Sequence, residues 1–212
     1  MKRLKLLLAG AALLLTQLSA TAQLMSTADF EYRYGDYSNE CYRIIIFADV
    51  EDNDFANAEF AMGCRSGQKF LPATVSVRGE AALRRLHAEL RAIRNKYAEW
   101  LATARTNGIT KLEKELPVKT SRVTITYFDM DINELASMEL GLKALFRAEH
   151  HSLSLLPDTD NITICGYTAP AKDAPILHVN STADLDRIIR ALDIVNIRAS
   201  VAKQRQESSL FR

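Results

Sequence analysis

Apolar and polar positions alternate along this chain with two different periods, and each change of period marks a new element. Arg43 to Ala48 and Arg122 to Phe128 are rich in β-branched and aromatic residues and predict strands. An acidic turn follows each, then a second predicted strand, from about Ala58 to Arg65 and from about Met138 to Arg147. In the latter, Met138, Leu140, Leu142, Ala144 and Phe146 alternate with Glu139, Lys143 and Arg147. Leu135, Met138, Leu142 and Leu145 also fall at helical spacing, but Gly63 and Gly141 disfavour helix in the two segments. Further strands are expected over Lys69 to Val77, Ser152 to Leu156, Asn161 to Tyr167 and Ile176 to Val179.

Two stretches carry the helical period instead. Leu83, Leu86, Leu90, Ile93, Tyr97, Trp100 and Ala104 recur in steps of three and four, and Asn107-Gly108 is a stop signal. Leu185, Ile188, Ile189, Leu192, Val195 and Ala199 form a second stripe, opened by Ser181 as N-cap with Asp184 three residues on. Residues 23–38 carry Phe30, Tyr32, Tyr34 and Tyr37 at mostly alternating positions, which predicts an added edge strand or an aromatic flap.

These elements repeat. Asp49-Val-Glu-Asp-Asn-Asp-Phe-Ala-Asn-Ala-Glu-Phe60 aligns with Asp129-Met-Asp-Ile-Asn-Glu-Leu-Ala-Ser-Met-Glu-Leu140 at a constant offset (129 less 49). Asp49 and Asp129, Asn53 and Asn133, Ala56 and Ala136, and Glu59 and Glu139 are identical pairs. Ala81 to Leu86 then matches Ala183 to Ile188 at a larger offset, so the second copy carries an insertion between Pro157 and Pro175. Self-similarity of this kind is a strong guide to fold. The expectation is an internally duplicated α+β domain over residues 23–212, with repeats at about 39–108 and 118–207. Each half is an antiparallel meander followed by a helix. The halves share one sheet, with both long helices on one face, because neither apolar stripe buries itself alone.

The N-terminus predicts export. Lys2, Arg3 and Lys5 precede an uncharged, almost wholly aliphatic run from Leu6 to Leu15, and Ala20-Thr21-Ala22 supplies small residues for a signal peptidase. Ten helical residues cover about 15 Å, half a bilayer core, so the run is too short for a permanent anchor. Cleavage is expected between Ala22 and Gln23, leaving a secreted or periplasmic chain. The 27 basic and 26 acidic residues become 24 and 26 once those three cations are removed. A nearly neutral chain lacks the basic footprint of a nucleic-acid binder.

Candidate chemistry is sparse. Asp49, Glu51 and Asn53, matched by Asp129, Asp131 and Asn133, resemble the first half of a calcium loop. The sixth position should then be Gly and is Asp54 or Glu134; the twelfth should be Glu and is Phe60 or Leu140. A turn in which Asp and Asn bond their own backbone is the competing reading. No His-Glu-x-x-His or paired Cys-x-x-Cys supports zinc, and no cofactor is expected. His87, His150, His151 and His178 are scattered, with His150-His151 expected in a hairpin turn. Of three cysteines, Cys41 and Cys64 are expected to bridge in an oxidising compartment. A hairpin centred between Asp52 and Asn53 places them directly opposite. Cys165 is left free or available to a second chain.

The functional expectation is a non-enzymatic binding module for a protein, peptide or small ligand, with Thr124, Thr126 and Phe128 on an open sheet face. Self-association into a homodimer is one form of it. The alternative is a hydrolase built from Asp49, Glu51, Asp129 and Asp131. That requires the two turns to lie within about 10 Å, the wide limit for carboxylate pairs in inverting glycosidases.

Overall fold

The computed structural model describes residues 24–33, 41–65, 73–129, 134–164 and 166–210. The expected leader, Tyr34, Tyr37, Lys69 to Pro72, Asp131, Asn133 and Cys165 lie outside the described residues. The strands form antiparallel sheets, and with the helices they make an α+β fold. The larger sheet runs β1 (Leu24–Arg33), β2 (Cys41–Asp49), β3 (Glu59–Arg65), β4 (Ala73–Arg78), β6 (Val123–Asp129), β7 (Glu134–Leu140). The smaller runs β12 (Leu177–Val179), β9 (Ser152–Pro157), β8 (Leu142–Arg147), β5 (Glu113–Lys119). A separate hairpin joins β10 (Asn161–Ile164) and β11 (Tyr167–Pro170). The helices are α1 (Glu80–Thr106), α2 (Thr182–Ala191) and α3 (Ile194–Ser209).

Alternation explains which side of the larger sheet is buried. Ile44, Ile46, Phe60, Met62, Val75, Ile125 and Tyr127 point one way and are almost completely buried. Ile45, Phe47, Thr74, Ser76, Thr124, Thr126 and Phe128 point the other way and stay half-exposed. Buried apolar side chains of both sheets and all three helices form one contiguous cluster, from Met25 to Val201. α1 lies against β4 and β5, α2 against α1 and β12, and α3 against β1. β1 is an edge strand, one of the two forms expected for residues 23–38, and α3 closes over it: Ser200 Oγ donates to Thr27 O at 3.2 Å.

Several expectations change. The predicted strand over Met138 to Arg147 is two strands in different sheets, so the second half does not share a single sheet with the first. Gly141 is the break. A Cβ there would lie 2.7 Å from Thr120 O, so only glycine lets the chain pass that carbonyl. Leu142 N, free of the first ladder, donates to Thr120 Oγ1 at 2.8 Å. The second apolar helical stripe is also broken. Ser181 caps α2 as expected, accepting from Asp184 N at 3.2 Å. Asp193 then accepts from Val195 N at 2.8 Å and starts α3 in a new phase. Ile194, Ile197 and Val201 therefore turn inward while Val195 is 66% exposed. In α1 the buried residue of the penultimate turn is Leu101, and Trp100 is only half-buried. β5 was not anticipated because Leu116 is its one buried side chain among charges.

The matched acidic segments also differ in register. Nine residues separate β2 from β3, residues 50–58, and four separate β6 from β7, residues 130–133. Asp49 faces Glu59, whereas Asp129 faces Glu134. Equal spacing in the sequence therefore produces unequal hairpins.

Candidate functional site

Asp49 and the backbone of Asp129 lie toward opposite ends of the larger sheet. Asp49 pairs with Glu59 and Glu59 with Arg78, at one end of β4. Tyr127, two residues before Asp129, pairs with Ala73 at the other end. Five residue steps separate these levels, about 17 Å at the usual strand rise. The backbones of Asp49 and Asp129 are therefore farther apart than the roughly 10 Å limit for a carboxylate pair.

The first turn is held by protein groups. Asp52 and Asn53 take left-handed backbone angles, φ 46 and 62. Asp54 Oδ1 accepts from the amides of Ala56 at 3.0 Å and Asn57 at 3.3 Å, the backbone-bonded Asp turn. Arg205 of α3 donates to Asn53 Oδ1, and also to Val50 O at 2.6 Å. Asn53, a candidate oxygen ligand, is thus engaged by a guanidinium. The Asp49 carboxyl is held above its ordinary value, by burial first and then by the charge of Glu51. Among the described residues no three His, Cys, Asp or Glu side chains gather as a metal site. The Asp129 side chain, Asp131 and Asn133 lie outside the described residues.

The longer first turn also displaces the cysteines. Ile44, three residues from Cys41, stands opposite Cys64, and Cys41 stands opposite Arg33. Three residues along a strand are about 10 Å, beyond the Cα separation a disulfide spans. Cys64 is a free, buried thiol, pushed up to about 12 by burial. It is expected to resist a thiol-specific disulfide reagent in the native Cys41→Ser, Cys165→Ser variant and to react fully in denaturant. Labelling of the native variant within seconds would contradict its burial.

A polar network missed by sequence reasoning crosses the smaller sheet. Ser154 Oγ lies 2.6 Å from His178 Nδ1, and Arg147 Nη1 donates to the same oxygen at 2.8 Å. Arg147 Nε in turn donates to Glu113 Oε2 at 2.7 Å. Ser154 Oγ thus accepts from Arg147 and shares one further hydrogen bond with Nδ1, whose direction follows the imidazole tautomer. The His178 pKa falls to about 4, through burial first and then the Arg147 charge. Ser154 has no exposed surface and His178 only 5%. The buried serine–histidine pair and Arg147 tie β8, β9 and β12 together.

An accessible concavity lies where the end of α1 meets β5 and β8. It encloses about 270 Å³. Phe146 and Ala104 form its buried floor, Trp100 and Ile109 its half-buried walls, and Thr103, Leu112 and Lys114 its exposed rim. The Trp100 and Phe146 rings meet edge to face, 6.0 Å between centroids at 78°. Lys114 Nζ lies 5.6 Å from the Trp100 ring centroid. Compared with protein-family models, with curated proteins and with solved structures, the chain matches none.

Two signals in the sequence pointed toward this groove. Trp100 falls one residue before Leu101, at the margin of the α1 stripe, where a large ring is only partly covered. The segment from Gly108 to Glu115 has few apolar residues, so Ile109 and Leu112 stand out as side chains without a helical or strand period. Neither signal carries meaning until β5 folds back beside α1.

Proposed function

We propose that this chain is an exported, non-enzymatic module that binds a small, largely apolar ligand in the groove beside Trp100. The groove carries the reading: it is open at the rim, apolar on its floor, and bordered by a cation. Among the other candidates, the Ser154–His178 pair is buried, and Asn53 and Asp54 of the first acidic turn are engaged within the protein. The outer face of the larger sheet is the weaker surface, since its hydroxyls satisfy one another, as Thr126 and Ser137 do at 2.9 Å. Such a half-polar face is the ordinary solvated side of an antiparallel sheet.

Export rests on residues 1–22, and duplication on the aligned acidic segments. β2–β3 and β6–β7 are both consecutive antiparallel pairs of one sheet, which supports descent from one hairpin unit. Among the described residues no helix is long and apolar enough to cross a membrane.

The groove is tested with N-phenyl-1-naphthylamine, a neutral apolar fluorophore. Saturable emission enhancement is expected, and Thr103→Phe, which fills the groove from its exposed rim, is expected to abolish it. Enhancement that is absent, or indifferent to Thr103→Phe in a variant of unchanged melting temperature, would refute the reading.

A further inference from the structure

We infer that the groove takes a small apolar monocarboxylate, a ring or branched hydrocarbon carrying one carboxylate group, seated with its acid on Lys114. This rests on the groove being a binding site at all, as proposed above. Strand alternation supplies the first argument. Glu113 and Glu115 flank Lys114 on β5 and so point to the opposite face of the sheet. There they are already engaged, Glu113 with Arg147 at 2.7 Å and Glu115 with the buried Lys143 at 2.8 Å. On α1, Glu99 is paired with Lys96 at 2.7 Å. Among the described residues Lys114 thus has an aromatic ring beside it and no carboxylate within salt-bridge distance.

The end of a helix normally presents unsatisfied carbonyls, which would repel an anion. Here they are capped from within. Thr103 O accepts from Asn107 N at 3.1 Å and Asn107 Nδ2 at 2.8 Å, and Ala104 O accepts from Ile109 N at 2.9 Å. In sequence Arg105 follows Ala104 and Lys111 precedes Leu112, each next to a lining residue, while Glu113 is engaged by Arg147.

Size and polarity limit the ligand from the other side. A dry apolar cavity of about 150 Å³ is enough for benzene. The groove's 270 Å³ therefore holds a ring with a substituent or a comparable branched chain. Phe146 and Ala104 offer the floor no polar group from their side chains, so the ligand's polarity must gather at the rim. Lys114 is the single charged residue in the lining, which suits one carboxylate better than a phosphate or a dicarboxylate.

The experiment is competition against bound N-phenyl-1-naphthylamine by three molecules of one shape: 4-tert-butylbenzoate, 4-tert-butylbenzyl alcohol and 4-tert-butylbenzylamine. The benzoate is expected to displace the probe at a concentration at least about tenfold lower than the alcohol, with the amine weakest. Lys114→Gln is expected to erase that preference and Lys114→Arg to keep it, each competition being read against that variant's own probe affinity. The chain's single tryptophan, Trp100, gives a second readout, because its emission should shift with the benzoate in the absence of probe. Equal competition by the benzoate and the alcohol, or a preference that survives Lys114→Gln, would overturn the carboxylate inference and leave the groove standing. Failure of the probe to bind would overturn both.

Discussion

Gly79→Ala is expected to destabilise the fold by about 3 kcal/mol, against about 1 kcal/mol for Gly108→Ala. Both glycines have positive φ, 84 at Gly79 and 61 at Gly108. Their surroundings separate them. Gly79 combines φ 84 with ψ 150, a region essentially closed to residues with a Cβ. An added Cβ would also lie 2.6 Å from Ala56 O, a backbone atom that cannot swing aside. That contact is built into the fold, because Gly79 N donates to Ala58 O at 2.8 Å and Glu80 N to Phe55 O at 3.0 Å. The start of α1 is thereby fastened to the first acidic turn. At Gly108 an added Cβ meets nothing within 4 Å, leaving only the cost of the left-handed backbone. Urea unfolding of the two variants measures the difference. Equal losses would show that the Ala56 contact relaxes freely.

Acid is expected to weaken the protein through His178. Its folded pKa of about 4 lies below the ordinary value of 6.5, so the unfolded chain binds the proton first. The stabilisation is complete above pH 6.5 and is lost as pH falls toward 4, up to about 3 kcal/mol. His87 is lowered in the same direction, mainly by burial, so the wild-type curve alone does not isolate His178. His178→Asn does, because an amide in the Nδ1 position can still bond Ser154 and does not titrate. Unfolding free energy measured from pH 7 to 4 should fall less steeply in that variant. Parallel curves would mean that the buried imidazole does not set the acid response.

Local periodicity was enough to define most of the secondary structure. The apolar steps of α1 show in its buried Leu83, Leu86, Leu90, Ile93 and Tyr97. The preference for strand around Gly63 and Gly141 holds in β3, β7 and β8. The capping serine at 181 and the turn at His150-His151 are likewise local signals, and they appear where expected. Each depends on interactions between residues a few positions apart, which the order of side chains specifies directly.

Sheet membership, register and the groove were decided elsewhere. One close approach, Gly141 to Thr120 O, sends the chain from one sheet into the other, and nothing in the alternating pattern around it records that carbonyl. A first turn longer than its apparent repeat shifts β3 along β2, so Ile44 stands opposite Cys64 where Cys41 was expected. Register has a period of two residues and is set by turn length and by long-range packing, so a short miscount in a loop changes every pairing beyond it. Ser154 and His178 are 24 positions apart, and Trp100 and Lys114 are on different elements. Their meeting is a property of the packed sheets and helix. The chain order alone establishes an antiparallel α+β protein with amphipathic helices. Only long-range packing creates a buried neutral histidine on one face of the smaller sheet and, on the other, an aromatic groove with a lysine over its tryptophan.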